Sequence, residues 1–268
     1  MRFILVSLFL IILSCENKEL LYPPANNSLQ ASEDYLTAEN IFTDVGFIVK
    51  GAFFDNGISR TSYPVYIKND LDTTNADTLI IDFGSKNTLF KNKLRRGRII
   101  SVYSGDYLES NTIISTYFDQ YYSNNNLIEG TRVIENKGIN PDGNMWFLIT
   151  VIEASITTIN GVIDWQSNKS REWVAGSSTL SNMFDDQYLI SGTSFGNGVN
   201  GNGFTTNINK PLLLDLSCYE SSPCLITNGQ TIINPDNYSD RIINYGDSLC
   251  DCIFEISINE NSDIITLP

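Results

Sequence analysis

From about residue 60 onward the chain is a succession of short runs rich in Ile, Val, Thr, Tyr and Phe, each ended by Gly, Asn, Asp or Pro. The joins DFGS, NPDGN, INGV and YGDS are only a few residues long. A parallel pair needs a crossover of a dozen residues or more, so these runs must fold back on their neighbours as hairpins. The runs lie at 64–68, 78–83, 97–104, 111–119, 127–136, 144–157, 161–166, 170–176, 187–195, 203–208, 211–218, 224–233, 239–246 and 250–258. One stretch breaks the pattern. Tyr35, Ala38, Ile41, Phe42, Val45, Ile48 and Val49 recur at spacings of three and four, which predicts an amphipathic helix over roughly 32–52 with Ser32 as its N-cap. The expected fold is mainly β: a large antiparallel β-meander, a curved sheet or sandwich-like, with one N-terminal amphipathic helix packed as a lid on one face.

Residues 1–14 read as an address. Arg2 precedes an apolar run from Phe3 to Leu13, interrupted by Ser7 and far short of the ~20 residues needed to span a bilayer. Ile12-Leu13-Ser14-Cys15 has the form of a lipobox, so Cys15 is expected to become a lipidated N-terminus, with 15–30 as a flexible tether and 31–268 as a single helix-plus-β domain. The expected location is the cell envelope, as an outer-membrane lipoprotein on either the periplasmic face or the cell surface. The membrane, through the lipid anchor, is the first expected partner; an envelope glycan or another envelope protein is the second. The formal net charge is −14, and loss of Arg2 with the leader makes the chain one unit more negative. Such a chain repels nucleic acid, which excludes it as a partner.

Gly246-Asp247-Ser248-Leu249 spells the tetrapeptide of GDSL hydrolases. A serine nucleophile needs a base, and the chain has no histidine and no lysine after Lys210. The motif also stands near the end of a β region rather than at the start of an α/β fold. No catalytic residue is assigned, and no cofactor. Chemistry that uses carboxylates alone survives the lack of histidine, as in glycoside hydrolases. Asp82, Asp119, Glu129, Glu153, Asp164, Glu172, Asp185 and Asp186 are the available acids, but no spacing singles out a pair.

The cysteines after Cys15 are Cys218, Cys224, Cys250 and Cys252, an even set in a chain that reads as exported. Alternation puts Cys250 and Cys252 on one strand face, and a bond within Cys-x-Cys is strained, so pairing outward to Cys218 and Cys224 is favoured over a metal site of four thiolates. Which cysteine takes which partner stays open. Tyr117, Tyr121, Trp165 and Trp173 are the candidates for a ligand-facing aromatic surface, the plainer reading being a sheet core. Asp72-Thr73-Thr74 and Asp77-Thr78-Leu79 have the form of O-glycosylation acceptors, with Thr73 and Thr78 as the sites in an apparent loop. The segments LIIDFGSK (79–86) and RIINYGDS (241–248) look like one strand–turn unit used twice: an Asp or Asn, an aromatic, then a glycine able to take positive φ.

Several strings together resemble a family of Bacteroidota lipoproteins of flavobacterial type and unknown function. They are Asp82-Phe83-Gly84, Gly97-Arg98-Ile99-Ile100, Thr116-Tyr117-Phe118-Asp119-Gln120-Tyr121-Tyr122, Gly130-Thr131-Arg132, Arg171-Glu172-Trp173 and Asn244-Tyr245-Gly246-Asp247-Ser248-Leu249-Cys250-Asp251. The resemblance spans roughly residues 31–258 and implies a fold and a location rather than an activity. The family often carries a cysteine soon after the first Asp-Phe-Gly and a Gly before the late Cys-Asp. Here Ser85 to Leu94 holds no cysteine and Leu249 replaces the Gly, which implies that Cys224 and Cys252 form a local substitute. The expectation is therefore a non-enzymatic cell-envelope lipoprotein with a structural, adhesive or binding role. The alternatives are a lipid or glycan carrier using a cavity in the curved sheet, and a carboxylate-only glycoside hydrolase.

Overall fold

The structure, a computed structural model, describes residues 28–54, 63–69, 76–180, 182–222 and 224–266. The leader, Cys15, nearly all of the tether and Thr73 lie outside the described residues. The chain is mainly β, as expected. The one α-helix of the described residues, α1 (Gln30–Phe54), is followed by β1 (Val65–Asn69), β2 (Asp77–Asp82), β3 (Thr88–Phe90), β4 (Lys93–Tyr103), β5 (Ile113–Ser123), β6 (Asn126–Ile139) and β7 (Met145–Thr158). Then come β8 (Gly161–Ala175), β9 (Gln187–Asn197), β10 (Gly203–Asp215), β11 (Ile226–Pro235), β12 (Arg241–Asp247), β13 (Ile253–Ile258) and β14 (Asn261–Thr266). All fourteen belong to one antiparallel open sheet in which each strand pairs with the next along the chain, except that β3 forms a side hairpin on β4 and β2 pairs with β4 directly. Among the described residues no helix is long and apolar enough to cross a membrane.

The sheet does not stay flat. Register shifts interrupt β4/β5 at Arg96/Arg98, β6/β7 at Glu129/Thr131 and β7/β8 at Val151/Ala154. Such bulges bend the bulged strand and increase its twist. Two glycines make them possible. Gly97 has φ +81°, and a Cβ there would lie 1.9 Å from the Gln120 carbonyl oxygen. Gly130 has φ +105°, and its Cβ would meet the backbone of Ala154 at 2.5 Å.

The bent sheet wraps the helix. Tyr35 of α1 meets Trp165 on β8, Thr231 on β11 and Tyr245 on β12. Phe42 packs on Phe118 of β5, Phe47 on Tyr188 of β9, and Phe53 on Tyr103 of β4. The expected lid is thus an enclosed core element. Its polar positions Asp34, Glu39, Asp44 and Lys50 are as buried as its apolar ones. They can be buried because the strands, their connections or the helix itself offer each a partner, described below.

Other departures from the sequence reading have local causes. The runs at 161–166 and 170–176 are one strand, β8, joined through Ser167 and Lys169, which point inward. The runs at 203–208 and 211–218 join as β10 across an exposed bulge at Asn209 and Lys210. Beyond the last run read from sequence, at 250–258, residues Asn261–Thr266 form the edge strand β14, in which only Ile265 is buried. The brief β3 was also missed. Most of the join read at YGDS (245–248) is instead the last part of β12, with Tyr245 buried; the reversal follows it, at 248–252, so Cys250 and Cys252 lie in a turn rather than on a strand face.

Candidate functional site: a charged interior around the helix

The alternation of β8 explains where its charges go. Ile163, Trp165, Ser167, Lys169, Arg171 and Trp173 share one parity and are all buried against α1 and its surroundings. Lys169 donates to Glu39 of α1, and the Glu39 carboxylate also accepts from Thr43 at 3.3 Å. Lys50 donates to Asp186 and, at 2.5 Å, to the Tyr188 hydroxyl; the Trp173 indole N–H donates to the same aspartate at 3.0 Å. Arg95 of β4 grips Asp44 through two guanidinium nitrogens at 2.7 and 3.0 Å and donates to Tyr121 Oη at 2.7 Å. Lys93 stands 3.8 Å from the same carboxylate. At the start of the helix, Asp34 accepts from the Val199 amide at 3.1 Å and from Gln30 at 3.0 Å.

Burial and partners set the ionisation of these groups. Burial pushes the Asp44 carboxyl up, but Arg95 and Lys93 outweigh it and hold the pKa below the usual carboxylate value. Burial lowers Lys50 to about 8, with its hydrogen bond to Asp186 opposing the shift. Burial raises Tyr121 to about 12.

Among the described residues, no carboxylate lies within ion-pair distance of two cations of this interior, Arg171 and Arg132. Arg171 is ringed by Phe47, Phe147 and Tyr188, with its guanidinium carbon 4.8–5.5 Å from their ring centres, and donates to Tyr107 Oη at 2.6 Å. Arg132 of β6 packs its guanidinium against Gly46, where a Cβ would stand 2.6 Å from Nη2. Both line a cavity of about 30 Å³ between α1 and β6–β10, together with Glu39, Trp165, Ser167 and Lys169. Larger recesses open beside the helix. One, of about 220 Å³, is lined by Phe47, Ile48, Tyr66, Phe90, Met183 and Tyr219; another, of about 230 Å³, is lined by residues that include Asn40, Lys93, Ser123 and Asn126.

The residues singled out from sequence fall in varied places. The cysteines pair across, as Cys218–Cys250 and Cys224–Cys252, with Cα separations of 5.2 and 5.4 Å. Among the described residues no group of His, Cys, Asp and Glu could hold a metal. Of the four candidate ligand-facing aromatics, Tyr121, Trp165 and Trp173 are buried and cannot form a surface; only Tyr117, 43% exposed, faces solvent. Thr78 is not in a loop but in β2, paired with Val102 and Asn69. Asp82 and Asp119 share Arg98, at 3.1 and 3.2 Å. Glu172 accepts from Asn140 and Asn144, which hold its carboxyl below the usual range. Glu129, Glu153, Asp164 and Asp185 are exposed, and Asp186 is the buried partner of Lys50.

Ser248 sits in the turn after β12 at φ +76°, and its hydroxyl accepts from the Asn228 amide at 3.2 Å. An amide N–H cannot take a proton from it. The proposed strand–turn repeat has matching local chemistry: Gly84 and Gly246 both have positive φ, and their amides donate to Asp82 and Asn244 side chains at 2.7 and 3.3 Å.

Sequence reasoning missed Glu39, Asp44, Lys50, Lys93, Arg95, Arg132, Lys169 and Arg171. The usable signal was parity: Lys169 and Arg171 alternate with Trp165 and Trp173 on one strand. Comparison with family models, curated proteins and solved structures finds no match for this chain.

Proposed function

We propose that this protein is a non-enzymatic cell-envelope lipoprotein whose acidic β body, tethered by a lipid on Cys15, serves a structural, adhesive or binding role. The observation that carries this reading is the helix inside the sheet. The concave side, where a carrier would hold its ligand and an enzyme its substrate, is occupied by α1 and its ion pairs. The two cross-paired cysteine bridges agree with passage to an oxidising compartment. The resemblance to Bacteroidota lipoproteins points to the same address.

Metabolic labelling with a radioactive fatty acid, followed by fractionation, tests the anchor. Label in the wild-type protein and none in Cys15→Ser supports it; equal label, or wild-type protein recovered in the soluble fraction, overturns it. Protease treatment of intact cells then separates surface from periplasmic display.

The carrier reading keeps one specific support, the aromatic-lined recess of about 220 Å³ beside Phe47 and Tyr219. This is below the roughly 300–1,000 Å³ of ordinary ligand pockets. A native mass spectrum carrying a co-purified lipid or glycan would favour it over a purely structural role.

A further inference from the structure

The interior of this acidic protein is positively charged. Among the described residues the buried ionisable acids and bases are Asp34, Glu39, Asp44 and Asp186 against Lys50, Lys93, Arg95, Arg132, Lys169, Arg171 and Arg241. The imbalance is concentrated at one place. Four charged side chains line the cavity between α1 and β6–β10: Glu39, Arg132, Lys169 and Arg171. Glu39 is committed to Lys169. No carboxylate of the described residues reaches ion-pair distance of either guanidinium, and Arg132 donates no hydrogen bond there.

A buried cation is stable only when paired, coordinated or neutralised. The aromatic cage and Tyr107 offset part of the cost for Arg171. Among the described residues nothing comparable serves Arg132. Burial and then the nearby charge of Arg171 lower it to about 10, still well above neutral pH, so it remains a cation. The wall is otherwise largely apolar, so among the described residues the two guanidiniums face it without a counter-charge, a deficit that an anion in the cavity would correct. The volume, about 30 Å³, sets the size. A water needs roughly 10–15 Å³ of such space, so a halide fits and a polyatomic oxyanion or organic acid does not.

We propose that this cavity is a binding site for a small monoatomic anion of chloride size, with Arg132 and Arg171 as its ligands. The anion would act as an interior counter-ion that joins α1 to the middle of the sheet. The site is independent of the envelope reading, since it rests only on the interior.

The test uses the purified full-length protein. Its thermal midpoint is measured in sodium chloride and in sodium gluconate at equal ionic strength, for wild type, Arg132→Met and the surface control Arg98→Met. Methionine fills similar space without charge, so the interior variant retains a packed core. Wild type and Arg98→Met are expected to gain roughly 5–10 °C when chloride is about a hundredfold above its dissociation constant, while Arg132→Met gains nothing. Crystals soaked in bromide are expected to give an anomalous peak between the two guanidiniums. Equal midpoints in the two salts, the same chloride gain in Arg132→Met, or a bromide soak with no peak in the cavity would each overturn the proposal and leave the cavity to water.

Discussion

Asp44 is held by two bases in the enclosed space under β4. Its folded-state pKa is depressed, so the ionised carboxylate stabilises the fold at pH values above the ordinary carboxylate pKa, and that stability is lost as pH falls through the depressed value. Asp44→Asn leaves Arg95 and Lys93 buried without a counter-charge. It is expected to cost about 3–5 kcal/mol at neutral pH, read from urea unfolding. The difference from wild type should shrink on going from pH 5 to pH 2; a constant difference would mean that charge is not what Asp44 supplies. At Ser248 the expectation is the opposite. The residue is exposed in a turn, so Ser248→Ala should change stability by no more than about 0.5 kcal/mol. Gly97 admits no side chain at all. Gly97→Ala would press a Cβ into the Gln120 carbonyl at a φ that L-residues avoid, and a loss of at least ~2 kcal/mol is expected by the same measurement.

At the scale of elements, the turn after β12 and the short segment after β10 are stitched by two bridges, Cys218–Cys250 and Cys224–Cys252. Removing either, as Cys250→Ser with Cys218→Ser, should lower stability by roughly 2–4 kcal/mol under oxidising conditions. Dithiothreitol should lower the wild-type midpoint and should leave less to lose in the double variant. This neighbourhood shows how the sequence speaks and where it falls silent. The outward pairing of the four cysteines was legible because Cys-x-Cys is a poor internal bond; the choice between the two cross-pairings depends on a turn whose start the sequence misplaced by several residues. A strand with clean alternation, such as Ile253–Ile258, could be read from its pattern, although its start was set three residues early. Gly161–Ala175 could not, because inward lysine and arginine look like a solvated interruption until their partners on another element are known. Asn261–Thr266 hid for another reason. An edge strand with one buried residue has almost no periodic signal, and its only support is pairing with β13.

At the scale of the whole molecule, a single body of interactions runs from α1 to strands at both halves of the sheet. The helix is tied to β4 through Asp44, to β8 through Glu39, to the start of β9 through Lys50 and to β11 through Tyr35. Unfolding should therefore be one transition, with far-ultraviolet and near-ultraviolet circular dichroism losing signal at the same denaturant concentration. Separate midpoints would mean that part of the sheet stands without the helix. Deep amides of α1 should exchange with solvent deuterium as slowly as those of β7 and β8, which isolated surface helices do not do. The mainly β architecture was open to a sequence reader because hairpin joins are local. The enclosure was not, since it arises from bulges and from charges whose matches lie more than a hundred residues away.

That enclosure has a cost in time. Each hairpin can close on residues already made, but Tyr35 reaches Thr231 across 196 residues and Tyr245 across 210. At about 5–20 residues per second of chain synthesis, roughly 10–40 s separate the appearance of Tyr35 from that of Tyr245. Throughout that interval the apolar flanks of α1 have no complete covering to enter. A vectorially emerging chain of this design carries a nearly finished sheet and an unsheltered hydrophobic segment at once, and so places a standing demand on whatever holds nascent chains apart until β12 arrives.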